Sequence, residues 1–358
     1  MIKKNKPTLS EVAKLAGVSV PTASMIISQK PGVTFSPETI KKVMDAVEEL
    51  NYIGKIDKLN NIAKVTDKII AVICPNITNP YYATIVQSIE QAARQDGLDV
   101  ILFNTYRDPL TEKRIVQTLY KLNVVGIIFA MMPSDPQFAE QLNFKLPIVV
   151  IGDSDCSVHI DTVEVSNYNA GVLIGKHLID LGHKHIAFLS PTLDHINTAR
   201  LKRLEGLKDT FKKAGNNYSI LVKSQNITPD IERNNISIEH VVGYNLCKES
   251  LKEKKITAFV GLNDMISYGI IDAIIDSGYK IPTDYSICGF DNIFPSHLSP
   301  ISLTSIEHCI EDIGHNAFNI LLSKIDKETR PTFKNSSIIR VEYSQKLIQR
   351  NSTGPVRS

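Results

Sequence analysis

The chain has 358 residues, 43% hydrophobic and 22% charged, with a formal net charge of +2. That balance excludes a disordered or fibrous protein, and the length provides for two or three domains with substantial cores. No run reaches the roughly 20 apolar residues of a membrane span, and the basic start at residues 1–7 is not followed by the apolar stretch of an export signal, so a cytoplasmic protein is expected.

The first predicted elements are two short helices around a tight turn at Gly17. Leu9, Val12, Ala13 and Ala16 recur at helical spacing, and Gly17 can take the left-handed conformation that ends a helix. Ser19 is placed to cap the second helix, and Pro21 falls in its first turn, where a missing N–H is no loss. Ala23, Ile26 and Ile27 then face inward and leave Val20, Pro21, Thr22, Ser24 and Met25 more exposed. A third helix starts at Ser36-Pro37-Glu38-Thr39, with Ile40, Val43, Met44, Val47 and Leu50 as its expected buried face. A helix-turn-helix of this shape sets its second helix in a DNA major groove. The bland alternative is a small helical bundle with no nucleic acid. Residues 1–64 hold ten lysines against six acids, so the positive excess lies in this head, as contact with DNA through one end requires.

From Ile69 onward strand and helix signals alternate. Short, β-branched runs at Ile69–Cys74, Val100–Phe103, Val124–Phe129 and Ile148–Ile151 suit strands buried in a parallel sheet, with amphipathic stretches between them. A second series follows, with strands at Ile186–Leu189, Ile220–Val222, Ala258–Gly261 and Ser286–Phe290. Two such series imply an α/β body of two open, doubly wound lobes. Ligands of these sheets bind beyond the carboxyl ends of the strands, here in the cleft between lobes. That logic nominates Tyr81 and Tyr82 at a helix start and Asn104, Asp153, Asn263 and Asp291 at strand ends. It adds Arg203 early in a helix, where its guanidinium could fork to a hydroxyl pair or a carboxylate. On pattern alone each is as much a capping residue as a ligand contact.

Catalytic signatures are missing. Gly171–Lys176 imitates a phosphate loop but is one residue short, and His177 replaces the hydroxyl that would bind magnesium; the segment reads better as helix. No G-x-S-x-G elbow and no G-x-G-x-x-G fingerprint after a strand occurs. Cys74, Cys156, Cys247, Cys288 and Cys309 are widely spaced without C-x-x-C, so free buried thiols are expected, with no metal and no cofactor.

Residues Thr8 to Ser19 (TLSEVAKLAGVS), Thr22-Ala-Ser24 and Glu49-Leu-Asn-Tyr52 resemble the headpiece of LacI/GalR transcriptional regulators. The similarity continues in order through Asn79-Pro-Tyr-Tyr82, Leu181-Gly-His183, Arg203-Leu-Glu-Gly206, Asn263-Asp264, Ile281-Pro282 and Gly289-Phe-Asp291, to about Ser323. The resemblance implies a headpiece at 1–53 and a hinge at 54–67. It also implies a two-lobed, periplasmic-binding-protein-like body at 68–345 and a tail at 346–358, with the chain crossing between lobes near 166, 293 and 323. It implies a homodimer on a roughly palindromic double-stranded DNA operator, repressing transcription under a small sugar-like effector. Thr8, Ser19, Val20, Pro21, Thr22, Ser24, Met25, Ser36 and Thr39 become the expected DNA contacts, and the seven cleft residues the effector contacts.

Two departures from the family pattern matter. Met25 stands where most members have arginine, and no arginine precedes Arg94, so the bidentate fork on guanine is absent from the head. The hinge has Gly54-Lys55 in place of Pro-Asn. Ile62, with Leu59 competing, takes the position of the residue that wedges into the minor groove. Two other readings stay open: a ligand sensor with a degenerate head acting through a protein partner, and an α/β enzyme with an unrelated helical appendage.

Overall fold

The computed structural model describes residues 7–27, 33–50, 52, 68–153, 158–194, 196–299, 302–325 and 337–357. It divides into two compact units, Met1–Thr66 and Asp67–Ser358. The hinge expected at 54–67, including Ile62 and Leu59, lies outside the described residues, as does Cys156.

The first unit holds α1 (Leu9–Leu15), α2 (Val20–Ile27) and α3 (Pro37–Glu49). Thr8 and Glu11 cap α1 reciprocally, each side chain bonding the other's backbone N–H. Gly17, at φ +65°, makes the turn. Val12, Ala13, Ala16, Ala23, Ile26, Val43 and Ala46 form the core. The α3 stripe runs Val43, Ala46, Val47 and Leu50, at i, i+3, i+4 and i+7. Met44 stands about 100° round the helix from Val43, and Ile40 lies a turn earlier; both are exposed, against expectation.

The second unit contains two lobes. In the first, β1 (Ile69–Cys74), β2 (Asp99–Asn104), β3 (Gly126–Phe129), β4 (Ile148–Asp153) and β5 (Asp161–Val165) alternate with α4 (Pro80–Gln95), α5 (Pro109–Lys121) and α6 (Pro136–Asn143). Alternate residues of β1 enter opposite cores: Ile70, Val72 and Cys74 one, Ala71 and Ile73 the other. Both faces of the sheet are therefore covered, as a parallel sheet demands. The edge strand β2 is half-buried only.

The second lobe has α7 (Asn167–Asp180), β6 (His185–Pro191), α8 (Thr198–Ala214), β7 (Ser219–Gln225), α9 (Pro229–Asn234) and α10 (Ile238–Ser250). It continues through β8 (Ala258–Gly261), α11 (Asp264–Ile275), β9 (Ser286–Asp291) and β10 (Thr304–Glu307). Then α12 (Ile310–Ile325) and β11 (Arg340–Tyr343) join the first lobe, and β12 (Lys346–Ile348) the second. The sheet orders are β11-β5-β4-β3-β1-β2 and β12-β10-β9-β8-β6-β7. Strand order reverses between β1 and β3 and between β6 and β8, the two places where such sheets open a ligand crevice. The Gly171–Lys176 segment is interior to α7, not a phosphate loop.

The crossing at Ser166 lies where expected, between β5 and α7. The other two lie elsewhere. Ile293 does pack into the first lobe's core, but β10 after it pairs with β9, so the second crossing falls between Glu307 and Ile310. After α12 the chain adds β11 beside β5 and only then returns, between Tyr343 and Lys346, to pair β12 with β10. Residues 346–357, expected as a separate tail, are built into the second lobe. Ser352 donates to Ile287 O and accepts from Thr304 N, and Val356 N–H reaches Leu181 O. These polar, alternating segments carry no continuous apolar run, which is why sequence pattern leaves them unassigned.

Candidate functional site

In the first unit the expected DNA residues divide by environment. Val20 and Pro21 are exposed at the start of α2, and Thr22, Ser24 and Met25 are half-buried along it. Ser19 Oγ accepts from Thr22 N–H at 3.2 Å, and Ser36 Oγ from Thr39 N–H at 3.2 Å; these two hydroxyls cap helices. Thr8 does the same for α1, and its bonds to Glu11 hold that carboxyl below its usual range. Capping leaves each hydroxyl oxygen with acceptor capacity but fixes its direction.

In the second unit a cavity of about 140 Å³ lies between the lobes. Tyr81 and Tyr82, from the first turn of α4, meet edge to face at 5.1 Å. Asp153, at the end of β4, accepts from Asn167 N–H at 3.2 Å and from Asn167 Nδ2 at 2.8 Å. Asn167 Oδ1 in turn accepts from Arg203 Nε at 2.8 Å. Arg203 Nη1 donates to Leu262 O at 2.8 Å, Nη2 stands 3.4 Å from Asp291 Oδ1, and the guanidinium lies 4.7 Å over the Phe290 ring. Asn263 caps α11 through Oδ1 and gives Nδ2 to Glu239. Six of the seven expected residues thus line one cavity.

Asn104 is the exception. Its Oδ1 accepts from Ile77 N–H at 3.0 Å and from Cys74 Sγ at 3.1 Å, so it braces the turn after β1, and it is not among the lining residues.

The electrostatics are those of a desolvated polar chamber. Burial pushes the Asp291 carboxyl well up despite the Arg203 charge beside it. Burial, reinforced by the same guanidinium, drives His308 well down; its Nε2 is 3.4 Å from Arg203 Nη2. Behind Asp291, Asp264 accepts from Ser296, Ser305 and Ile293 N–H, yet burial outweighs these bonds and raises it to about 7.

Sequence reasoning passed over Arg107, Glu239, Asn167 and Arg200. Arg107 ties the lobes: Nη1 to Glu232 at 3.0 Å and Nε to Asn197 Oδ1 at 3.0 Å. Asn79 Nδ2 to Glu239 at 2.9 Å makes a second tie. Arg107 follows β2 directly, so the strand-end rule that nominated Asn104 could have reached it. Glu239 and Arg200 sit in first turns of helices, where sequence gives no sign of a cavity. Among the described residues no group of three or more His, Cys, Asp or Glu is placed to hold a metal ion. Cys74, Cys247, Cys288 and Cys309 are free thiols, and no helix among the described residues is long and apolar enough to cross a membrane.

A trihelical DNA-reading unit followed by two doubly wound lobes about a polar cavity defines a class: DNA-binding regulators with a small-molecule domain. Residues 8–54 match the model of bacterial regulatory proteins of the lacI family. Residues 66–347 match that of periplasmic binding proteins and the sugar binding domain of the LacI family. The chain belongs to the LacI family. It is 31% identical over 325 residues to an HTH-type transcriptional repressor PurR of Mannheimia succiniciproducens, covering 89% of this chain and 92% of that one. A LacI family transcriptional regulator of Enterococcus faecalis, solved with bound ribose, superimposes with a TM-score of 0.68 at 26% identity, over 81% of this chain and all of that one. The lac repressor dimer bound to operator and an anti-inducer shares the fold, with a TM-score of 0.66 at 22% identity over 98% of this chain and 100% of that one. The chain is therefore a LacI-family DNA-binding transcriptional repressor with a ligand-binding domain.

Proposed function

We propose that this repressor acts as a cytoplasmic homodimer on a roughly palindromic operator, through Val20, Pro21, Thr22, Ser24 and Met25, with the capping hydroxyls of Thr8, Ser19, Ser36 and Thr39 near phosphate. A sugar or sugar derivative occupies the interlobe cavity, contacted by Tyr81, Tyr82, Asp153, Arg203, Asn263 and Asp291. Ile62 is the proposed minor-groove wedge. The observation that carries the effector site is the hydrogen-bonded chain Asp153–Asn167–Arg203–Asp291, which joins strand ends of both lobes around one polar chamber. A ligand seated there prefers one lobe arrangement, and that preference is the coupling free energy available to regulate DNA binding. The ribose held by the Enterococcus faecalis relative supports a sugar class.

Selection of binding sites from random duplexes with the full chain tests the DNA half. A two-fold symmetric consensus is expected, with weaker dependence on guanine than in the Met25→Arg variant, since methionine offers thymine methyls an apolar contact and guanine no fork. Salt-dependent binding with no preferred sequence would overturn it.

A further inference from the structure

Three arginines line the interlobe space, and two have carboxylate partners: Arg203 has Asp291 and Arg107 has Glu232. Arg200 has none. It is 8% exposed and makes one hydrogen bond among the described residues, from Nη1 to Thr192 O at 2.7 Å. The remaining N–H groups of the five-donor fork have no acceptor among the described residues. The nearby acids have their oxygens engaged elsewhere: Glu239 accepts from Asn79 and Asn263, and Glu232 pairs with Arg107. Burial and the neighbouring Arg107 charge pull Arg200 down to about 9, against the opposing pull of the Glu239 and Glu232 carboxylates.

Arg200 lines both the 140 Å³ cavity and an adjoining one of about 250 Å³. It stands in the first turn of α8, whose Thr198 and Ala199 also line the first cavity. The N-cap, Asn197, makes no side-chain cap; its amide instead accepts from Arg107 and donates to Asp194. Arg200 N–H and Leu201 N–H already bond Asn197 O, so the 17-residue helix presents the N–H groups of Thr198 and Ala199 and the positive end of its dipole beside the under-paired guanidinium.

Taking the cavity as the effector site, as proposed above, we infer that Arg200 and the first turn of α8 form an oxyanion subsite, and that the effector carries a terminal phosphate ester or carboxylate. The oxyanion supplies an acid in direct contact, and its oxygens accept from the guanidinium and the helix N–H groups together. The larger cavity gives the group room beyond the chamber that holds Arg203 and Asp291.

The test is thermal-shift titration of the full chain, at constant ionic strength, with inorganic phosphate and with acetate. Wild type, Arg200→Gln and Arg200→Lys are compared. At least one anion is expected to raise the melting temperature saturably in wild type, at least tenfold more weakly in Arg200→Gln, with Arg200→Lys between them. Phosphate alone active assigns a phosphate ester, and acetate alone a carboxylate. Should Arg200→Gln fail to fold, wild type decides by ribose against ribose 5-phosphate, the ester binding at least tenfold tighter. No saturable shift with either anion, an equal shift in a folded Arg200→Gln, or equal affinity for the two ribose ligands overturns the subsite. Operator binding, followed on the same samples, fails separately if the regulator itself is misassigned.

Discussion

Asp264 shows how far a residue's sequence context can mislead about its work. Asn263 beside it caps α11 from a buried position, while Asp264 is fully buried and anchors the loop after β9 through Ser296, Ser305 and Ile293. Its carboxyl, raised to about 7, binds a proton in the folded chain that the unfolded chain has released. Its contribution is therefore full below the ordinary carboxyl range, declines as pH rises from there, and is lost above about 7. Urea unfolding of wild type and Asp264→Asn between pH 5 and 8 is expected to show the wild-type advantage falling as pH rises, with a limiting slope of about 1.4 kcal/mol per pH unit. The lowered His177, His183 and His308 act in the opposite direction below their ordinary range, but they are common to both proteins and cancel in the difference. A constant difference across that range would refute the assignment. At this scale the sequence located Arg203 and Asp291 but not Arg200 or Glu239, since burial of a charge is a property of the assembled fold.

Among elements, the α7–α8 pair explains why the cavity has its shape. A Cβ on Gly171 would lie 2.1 Å from Arg203 O, and one on Gly206 would lie 2.0 Å from Tyr168 O. These are backbone contacts with no flexible side chain to yield. The glycines let the two helices touch, and that approach brings Arg203 Nε onto Asn167. Gly206→Ala is expected to cost at the upper end of the ~1–3 kcal/mol typical of overpacking and to weaken effector binding with it, measured by urea unfolding and ligand titration; an unchanged midpoint would exclude the close approach. The strands β1 and β8 lie where their apolar runs placed them, to the residue. The strand β5 escaped notice because it is polar by sequence and buried in fact: Asp161 pairs with Lys324 at 3.1 Å, and Glu164 faces Arg340. Such charge pairs, drawn from distant parts of the chain, leave no trace in local hydropathy.

For the whole molecule, the two alternating strand-helix series already imply the two-lobed plan; the family resemblance adds three crossings, of which the topology moves two. The carboxyl-terminal residues are structural. A chain ending at Gln345 loses β12, the Ser352 bonds and the Arg350 contacts to Leu303 and Asn292. At about 1 kcal/mol for each buried hydrogen bond, a loss of several kcal/mol is expected, read as a lowered urea midpoint; an unshifted midpoint would show these residues dispensable. The crossings at Ser166, between Glu307 and Ile310, and between Tyr343 and Lys346 carry a mechanical corollary. Two slabs fastened by three short straps cannot slide past each other without stretching one of them, so swinging open and shut is the soft motion left. Whatever enters the chamber is then registered as an angle, and a molecule too thin to wedge or clamp that angle goes undetected however tightly it sticks.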